Sequence, residues 1–351
     1  MELRESLIWL CGMSSPTGSE EPIARELAQR LGALRLPGPV RRYGNSLVAP
    51  LSSGSGGPTI LLVSRLDAVE AGKFQMPRQE GGRVLGAGCA HKSGICLMLD
   101  LAERRPALKA DVTLVLHALG EAGENGSQLE RVLREEPELQ RADLALVLEP
   151  TDNQLELGCA GSTHALLAFR GRAGHSALPG AGVNAIHKFA QVLSALAAAT
   201  PIADVVDGLT WQEIMNATGI RGGRAFGSVV PDELEVNLHH TFGPSTSLHD
   251  SQEKLMALMN RLGAVRFEQM SAPAAPHRNH PLIQALQRSG SLPVAARQTW
   301  TEVSRFAARG VAAANFGPGA AQSAHSRAEF SELQTLESAR TILETWLTTL
   351  A

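Results

Sequence analysis

Residues 60–68 read ILLVSRLDA, and this stretch decides how the chain folds. Four uninterrupted aliphatic residues, Ile60 to Val63, run directly into Ser64, Arg65 and Asp67. A short continuous apolar run of this kind is a strand buried on both faces, and the polar residues mark its end. The runs Val112 to Leu116 and Leu144 to Leu148 have the same form, each bounded by polar, Gly or Pro residues. A helical stretch, Ile95 to Glu103, lies between the first two runs. Buried strands joined through a crossover helix predict an α/β domain. Upstream, Ser19 followed by Glu20, Glu21 and Pro22 predicts the cap of an amphipathic opening helix with Ile23, Leu27 and Leu31 on its apolar side.

The pattern changes after Gly161. Strand-like segments run from His164 to Arg170 and from Leu234 to His240, where Leu234, Val236 and Leu238 alternate with polar residues. Between them a helix over Asn184 to Ala199 places Ile186, Phe189, Val192, Leu193 and Leu196 on one face. One-sided strands under a covering helix predict a smaller α+β domain. The Pro- and Ala-rich passage SAPAAPHRNHP, residues 271–281, reads as a return linker. Leu282 to Arg288, Val311 to Phe316 and Leu336 to Leu350 then complete the first domain. The expected division is residues 1–160 plus 272–351 for the first domain and 161–271 for the second.

Composition narrows the function classes. With 351 residues the chain is long enough for two cores, and a net charge of -3 without a dense run of one sign gives no footprint for nucleic acid. The start, MELRESLIWLCGMSS, lacks the basic head and long apolar core of a signal peptide. No run approaches the ~18 apolar residues of a membrane span, so the expected location is cytoplasmic with no membrane partner. Cys11, Cys89, Cys96 and Cys159 are scattered and form no CxxC pair, which favours reduced thiols over a disulfide framework.

The segments LLVSRLDAV (61–69), GAGCAHKSG (86–94), ALGEAGENG (118–126), VLEPT (147–151) and GPGAAQSAH (317–325) carry a resemblance in their order and spacing. They resemble the cocatalytic zinc aminoacylase and carboxypeptidase family, most closely its succinyl-diaminopimelate desuccinylase and N-acetylornithine deacetylase members. The resemblance runs from about Ser14 to Glu329. It implies a zinc-peptidase-like α/β catalytic domain, a mixed sheet with helices on both faces, split in sequence by an inserted α+β lid that mediates homodimerisation. It also implies two zinc ions held by His and carboxylate ligands, with a free carboxylate taking a proton from zinc-bound water.

Several positions depart from the family pattern. Arg65 stands where the family has a His ligand, and a permanently protonated guanidinium cannot bind a cation. Asp67 matches the aspartate that orients that His, and it is expected here to pair with Arg65. His91, in the turn His91-Lys92-Ser93-Gly94, replaces the bridging aspartate, and an imidazole cannot bridge two ions as a carboxylate does. Counting without a gap puts Gly120 at the general base and Glu121 at the next ligand; a shift of one residue makes Glu121 the base and Ala122 the ligand. Either count loses one carboxylate. Glu149 and His325 match the remaining ligands.

The lid motif survives as Gly171 to Pro179, and its His175 matches the histidine that polarises the scissile carbonyl in a neighbouring subunit's site. On the substrate side, Leu178 replaces an arginine, Ser228 replaces the asparagine of the SVVPD stretch, and Thr241 replaces a second arginine. Groups of those lost types grip substrate carboxylates. The candidate catalytic residues are thus Glu121, Asp67 and His175, and the candidate substrate contacts are His175, Arg65, Ser228 and Gly317. His91, Glu149 and His325 are the candidate metal ligands of a degraded site, so the expected cofactor is none or one zinc.

Joint loss of a ligand, a bridge, a glutamate and substrate anchors weighs against ordinary dizinc hydrolysis. One alternative is a one-zinc deacylase acting on an N-acylated (di)amino acid, since three protein ligands and an open position suffice for catalytic zinc. Another is metal-independent chemistry drawing on Arg65, His91, Lys92 and His175. A non-catalytic protein that binds a small amino-acid derivative, or that pairs with an active relative, is the third. In each case the expected ligand is a small N-acyl amino acid-like molecule.

Overall fold

The computed structural model describes residues 1–69, 76–120, 126–223, 227–259 and 262–350. Its contacts divide the chain into two units, the first formed by Met1–Gly158, Pro276–Ala296 and Arg305–Ala351, the second by Cys159–Ala275 and Arg297–Ser304.

The first unit is built on an eight-stranded mixed sheet. Thr59–Arg65 lies at its centre, parallel to Asp111–His117 on one side and to Leu144–Val147 on the other. Ala313–Asn315 continues the parallel set beside Leu144–Val147. Ile60 to Val63 are wholly inaccessible, as a continuous apolar run in a doubly covered strand requires. Helix Cys89–Arg104 is buried along nearly its whole length and packs on the central strand. The residues His91 to Gly94, read from sequence as a turn, form the first turns of this helix. Gly88 starts it from a left-handed backbone (φ 71), and Gly94 lets it approach the next strand end, where a Cβ would sit 2.5 Å from the Leu148 carbonyl oxygen.

Two local expectations are corrected. Helix Glu21–Gly32 is preceded by Glu20 rather than Ser19 as its cap residue, and Glu20 makes no side-chain cap. Its buried carboxylate instead accepts hydrogen bonds from the Gly18 and Leu119 N–H groups. A helix over Leu3–Cys11 also comes first in the chain, burying Leu3, Leu7 and Leu10. The apolar N-terminal stretch is therefore a core element.

In the second unit five antiparallel strands are ordered Ile202–Val206, Leu209–Gly222, Glu233–Phe242, Gly161–Arg170 and Ala264–Ser271. One face, carrying Leu167, Phe169, Val236 and Leu238, packs against Phe189 and Val192 of helix Ala185–Ala198 and against Leu255 and Met259 of helix Leu248–Met259. Of the apolar stripe expected on the first helix, Ile186 and Leu193 are exposed at 40% and 48%. The inward side of this helix is carried by Ala185, Phe189 and Val192. Residues 297–304 pack in this unit because Trp211 Nε1 donates to the Arg297 carbonyl and the Gln212 N–H to the Gln298 side chain. Among the described residues no helix is long and apolar enough to cross a membrane.

Candidate active site

The parallel strands of the first unit end together, and Arg65, Asp67, Glu149 and Gly317 lie at or just beyond those carboxyl ends, where open α/β sheets bind ligands. Arg65 closes the central strand, directly opposite His117 in register, and is buried. Its Nη2 lies 2.9 Å from His91 Nε2 and 3.0 Å from His325 Nε2. A guanidinium nitrogen only donates, so each of these imidazole nitrogens accepts with its lone pair and carries no proton. The two rings stack, with centroids 5.4 Å apart and planes inclined by 22°.

His91 also has Glu149 Oε2 at 3.6 Å from its Nε2, and Glu329 Oε1 at 4.0 Å from its Nδ1. Burial depresses its pKa to about 4; the Arg65 charge adds to this and the Glu149 charge opposes it. His325 is exposed and adopts a left-handed backbone (φ 61), an uncommon conformation for a residue with a Cβ. Sequence places His91, Glu149 and His325 together as metal ligands. The fold brings all three to one place, with the Arg65 guanidinium between the two imidazoles.

Asp67 Oδ1 accepts from the Gly120 N–H at 2.9 Å, and its Oδ2 from the Thr17 hydroxyl at 2.9 Å. Position 120 has no room for a side chain: a Cβ there would lie 2.8 Å from Asp67 Oδ1 and 2.9 Å from Arg65 Cδ. Lys92 is buried, and its Nζ donates to the Met13 carbonyl at 2.6 Å. The Ser93 hydroxyl donates to the Ala90 carbonyl within its own helix turn. Glu121 lies outside the described residues.

Glu329 is explained by the helix it meets. Its carboxylate accepts from the Gly88 N–H at 3.1 Å and the Ala90 N–H at 2.9 Å, satisfying two orphan donors at the start of helix Cys89–Arg104. Burial raises its pKa, while these hydrogen bonds and the charges of Arg65 and Lys92 pull it down. Gly317 is a backbone contact point. Its N–H donates to Thr151 Oγ1 at 3.0 Å, and a Cβ there would sit 2.3 Å from the Glu149 carbonyl oxygen.

His117 escaped the sequence reading, because the apolar run was taken to stop at Leu116. It is fully buried at the strand end beside Arg65, and burial depresses its pKa to about 4. Parallel registration with Arg65 was the available signal. In the second unit the two lid motifs lie side by side: His175 bridges Val229, and the Ser176 N–H donates to the Ser228 carbonyl at 2.8 Å. His175 Nδ1 accepts from the Ala177 N–H.

Comparison with known proteins agrees with this architecture. Residues 157–265 match the peptidase dimerisation domain of the M20 peptidases. The succinyl-diaminopimelate desuccinylase of Corynebacterium glutamicum is 31% identical over 348 residues, covering 96% of this chain and 94% of that one. A provisionally named succinyl-diaminopimelate desuccinylase, DapE, of Mycobacterium tuberculosis is 33% identical over 350 residues, with 99% and 97% covered. Among solved structures, a Staphylococcus aureus tripeptidase superposes with a TM-score of 0.80 at 18% identity, covering 99% of this chain and 97% of that one. An M20 family metallo-carboxypeptidase of Sulfolobus solfataricus gives 0.78 at 16%, with 99% of each chain covered. The fold and these matches define an M20-type peptidase scaffold. The chain belongs to that amidohydrolase and peptidase family, alongside the succinyl-diaminopimelate desuccinylases.

Proposed function

We propose that this chain is a desuccinylase-like member of the family that has lost ordinary dizinc hydrolysis and binds a small N-acyl amino acid-like ligand. The observation that carries the reading is the Arg65 guanidinium, within 3.0 Å of both His91 Nε2 and His325 Nε2. The lone pairs that would ligate zinc are engaged with a cation. A zinc ion sits about 2.0 Å from its imidazole nitrogen, so on either lone pair it would fall within the space the guanidinium nitrogen fills, and the metal and the Arg65 side chain exclude each other there. The described donor set therefore does not fit the family's metal pair.

The ligand class is taken from the activity for which the relatives are named and from the placement of Arg65, Glu149 and Gly317 at the strand ends. His175 is the candidate contact to the ligand's carbonyl, with Ser228 and Gly317 as the other candidate contacts on the substrate side. Leu178 and Thr241 would reduce the grip on carboxylates. The second unit is the lid and the homodimer interface on this reading. Ile202, Val205 and Ile220, exposed at 63%, 64% and 64%, are apolar surface for such an interface. The location is cytoplasmic.

Zinc content after supplementation and desalting, together with turnover of N-succinyl and N-acetyl diamino acids, tests the proposal. Expected are no retained zinc, no hydrolysis, and saturable binding of an N-acyl amino acid. Retention of one or two zinc ions with zinc-dependent hydrolysis would refute it. The closeness of His91 Nε2 to Glu149 Oε2, 3.6 Å, favours the one-zinc deacylase as the second reading. In that case Glu149→Ala would abolish both metal and turnover. Light scattering at micromolar concentration should give twice the 37.2 kDa chain mass, and a monomer would count against the dimer.

A further inference from the structure

We infer that Arg65 is the resident cation of this cleft: its guanidinium takes over the charge balance a metal ion would supply and bars divalent metal, so that replacing this one side chain opens a latent zinc site. The inference rests on the proposal that the wild-type site holds no zinc, and it adds what keeps the fold together without it.

The first observation is the crowd of carboxylates. Asp67, Glu149 and Glu329 are all buried in the first unit, at 1%, 8% and 3% exposure. Buried carboxylates are costly unless a cation or well-placed N–H groups compensate them. Arg65 and Lys92 are cations that act on Glu329 against the burial that disfavours its charge. Two N–H groups, of Gly88 and Ala90, donate to Glu329, and one N–H, of Gly120, donates with the Thr17 hydroxyl to Asp67. The guanidinium stands among these groups, and its Nη2 meets two imidazoles that lie 234 positions apart in the sequence.

The second observation is that the guanidinium has a fitted place. Gly120 lacks the Cβ that would come within 2.9 Å of Arg65 Cδ and 3.1 Å of Arg65 Cβ. Length at position 65 and emptiness at position 120 are complementary, so the arginine is packed into the site. A shorter, neutral imidazole at the same strand end would free His91 Nε2 and His325 Nε2. Together with Glu149 they would make three nitrogen donors and one carboxylate oxygen, a set suited to tetrahedral zinc.

The test compares wild type with Arg65→His, Arg65→Lys and Arg65→Gln by zinc content and by melting temperature in chelator and in zinc. Wild type and Arg65→Lys should retain no zinc and melt at the same temperature in both buffers. Arg65→His should retain about one zinc per chain, melt about 5 °C or more below wild type in chelator, and recover when zinc is added. Arg65→Gln, without charge or a good ligand, should be destabilised in both buffers and retain none. A folded Arg65→His that retains no more zinc than wild type would overturn this inference and leave the proposed function standing. Stoichiometric zinc on wild type would overturn both. Should Arg65→His not fold, the other two variants decide: Arg65→Lys must melt closer to wild type than Arg65→Gln, and the reverse order overturns the charge-balance role.

Discussion

Acidification should destabilise this protein through His117, and the size of the effect can be worked from the structure. His117 is fully buried, and burial lowers its pKa from 6.5 to about 4, with Arg305 and Arg65 reinforcing the shift and Asp67 and Glu149 opposing it. The native state therefore resists the proton that the unfolded chain accepts as pH falls through 6.5. Stability associated with the neutral ring is fully present above that value and is lost as pH falls toward 4. Between pH 7.5 and pH 5.0 the difference in proton binding amounts to about 2 kcal/mol. The assay is urea unfolding of wild type and His117→Gln at both pH values. The variant can be less stable at both, yet it should lose about 2 kcal/mol less than wild type on acidification. Equal losses in the two proteins would refute the reasoning, because they would mean that this imidazole titrates normally in the folded state.

Two further changes report on packing and capping around the same strand ends. Gly120→Ala should cost about 1–3 kcal/mol, measured by chemical denaturation, because the added methyl meets Asp67 and Arg65; in an Arg65→Ala background the cost should shrink by ~0.5 kcal/mol or more. Strict additivity would show that the two side chains do not compete for the same space. Glu329→Ala should destabilise by about 2–5 kcal/mol, since the Gly88 and Ala90 N–H groups both lose their acceptor, whereas Glu329→Gln, which keeps one oxygen, should cost about half as much. Equal melting temperatures for the two variants would remove the capping role.

The legible parts of this fold are those where local pattern and burial agree. The aliphatic runs at 60–63, 112–116 and 144–148 became the parallel core, because a strand covered on both faces needs no polar residue to interrupt it. Strands Ile202–Val206 and Leu209–Gly222 were not legible. They are half exposed and mix polar with apolar residues, so their place is set by pairing across the sheet rather than by their own periodicity. Ile186 and Leu193 show the converse: helical spacing puts them on the apolar side, yet the inward positions go to Ala185, Phe189 and Val192, because spacing along a helix does not fix which part of an apolar stripe faces the sheet.

What the chain alone determined about the site is its inventory: an arginine at a strand end where a ligand is expected, histidines at 91 and 325, and glutamates at 149 and 329. Residue types limit what each group can do, since a guanidinium always donates and a lone imidazole cannot bridge two ions. Sequence offers Asp67 as a partner of Arg65, because aspartate and arginine are natural bidentate partners. The hydrogen bonds that hold Asp67 to Gly120 and Thr17, and the approach of Arg65 Nη2 to His91 and His325, come from tertiary structure alone. His91 and His325 are separated by 234 positions in the chain, and only the parallel register and the return of the 317–325 loop carry them to the same guanidinium. Spacing in sequence has no say over distances closed by the sheet, and those distances decide which lone pairs remain for a metal.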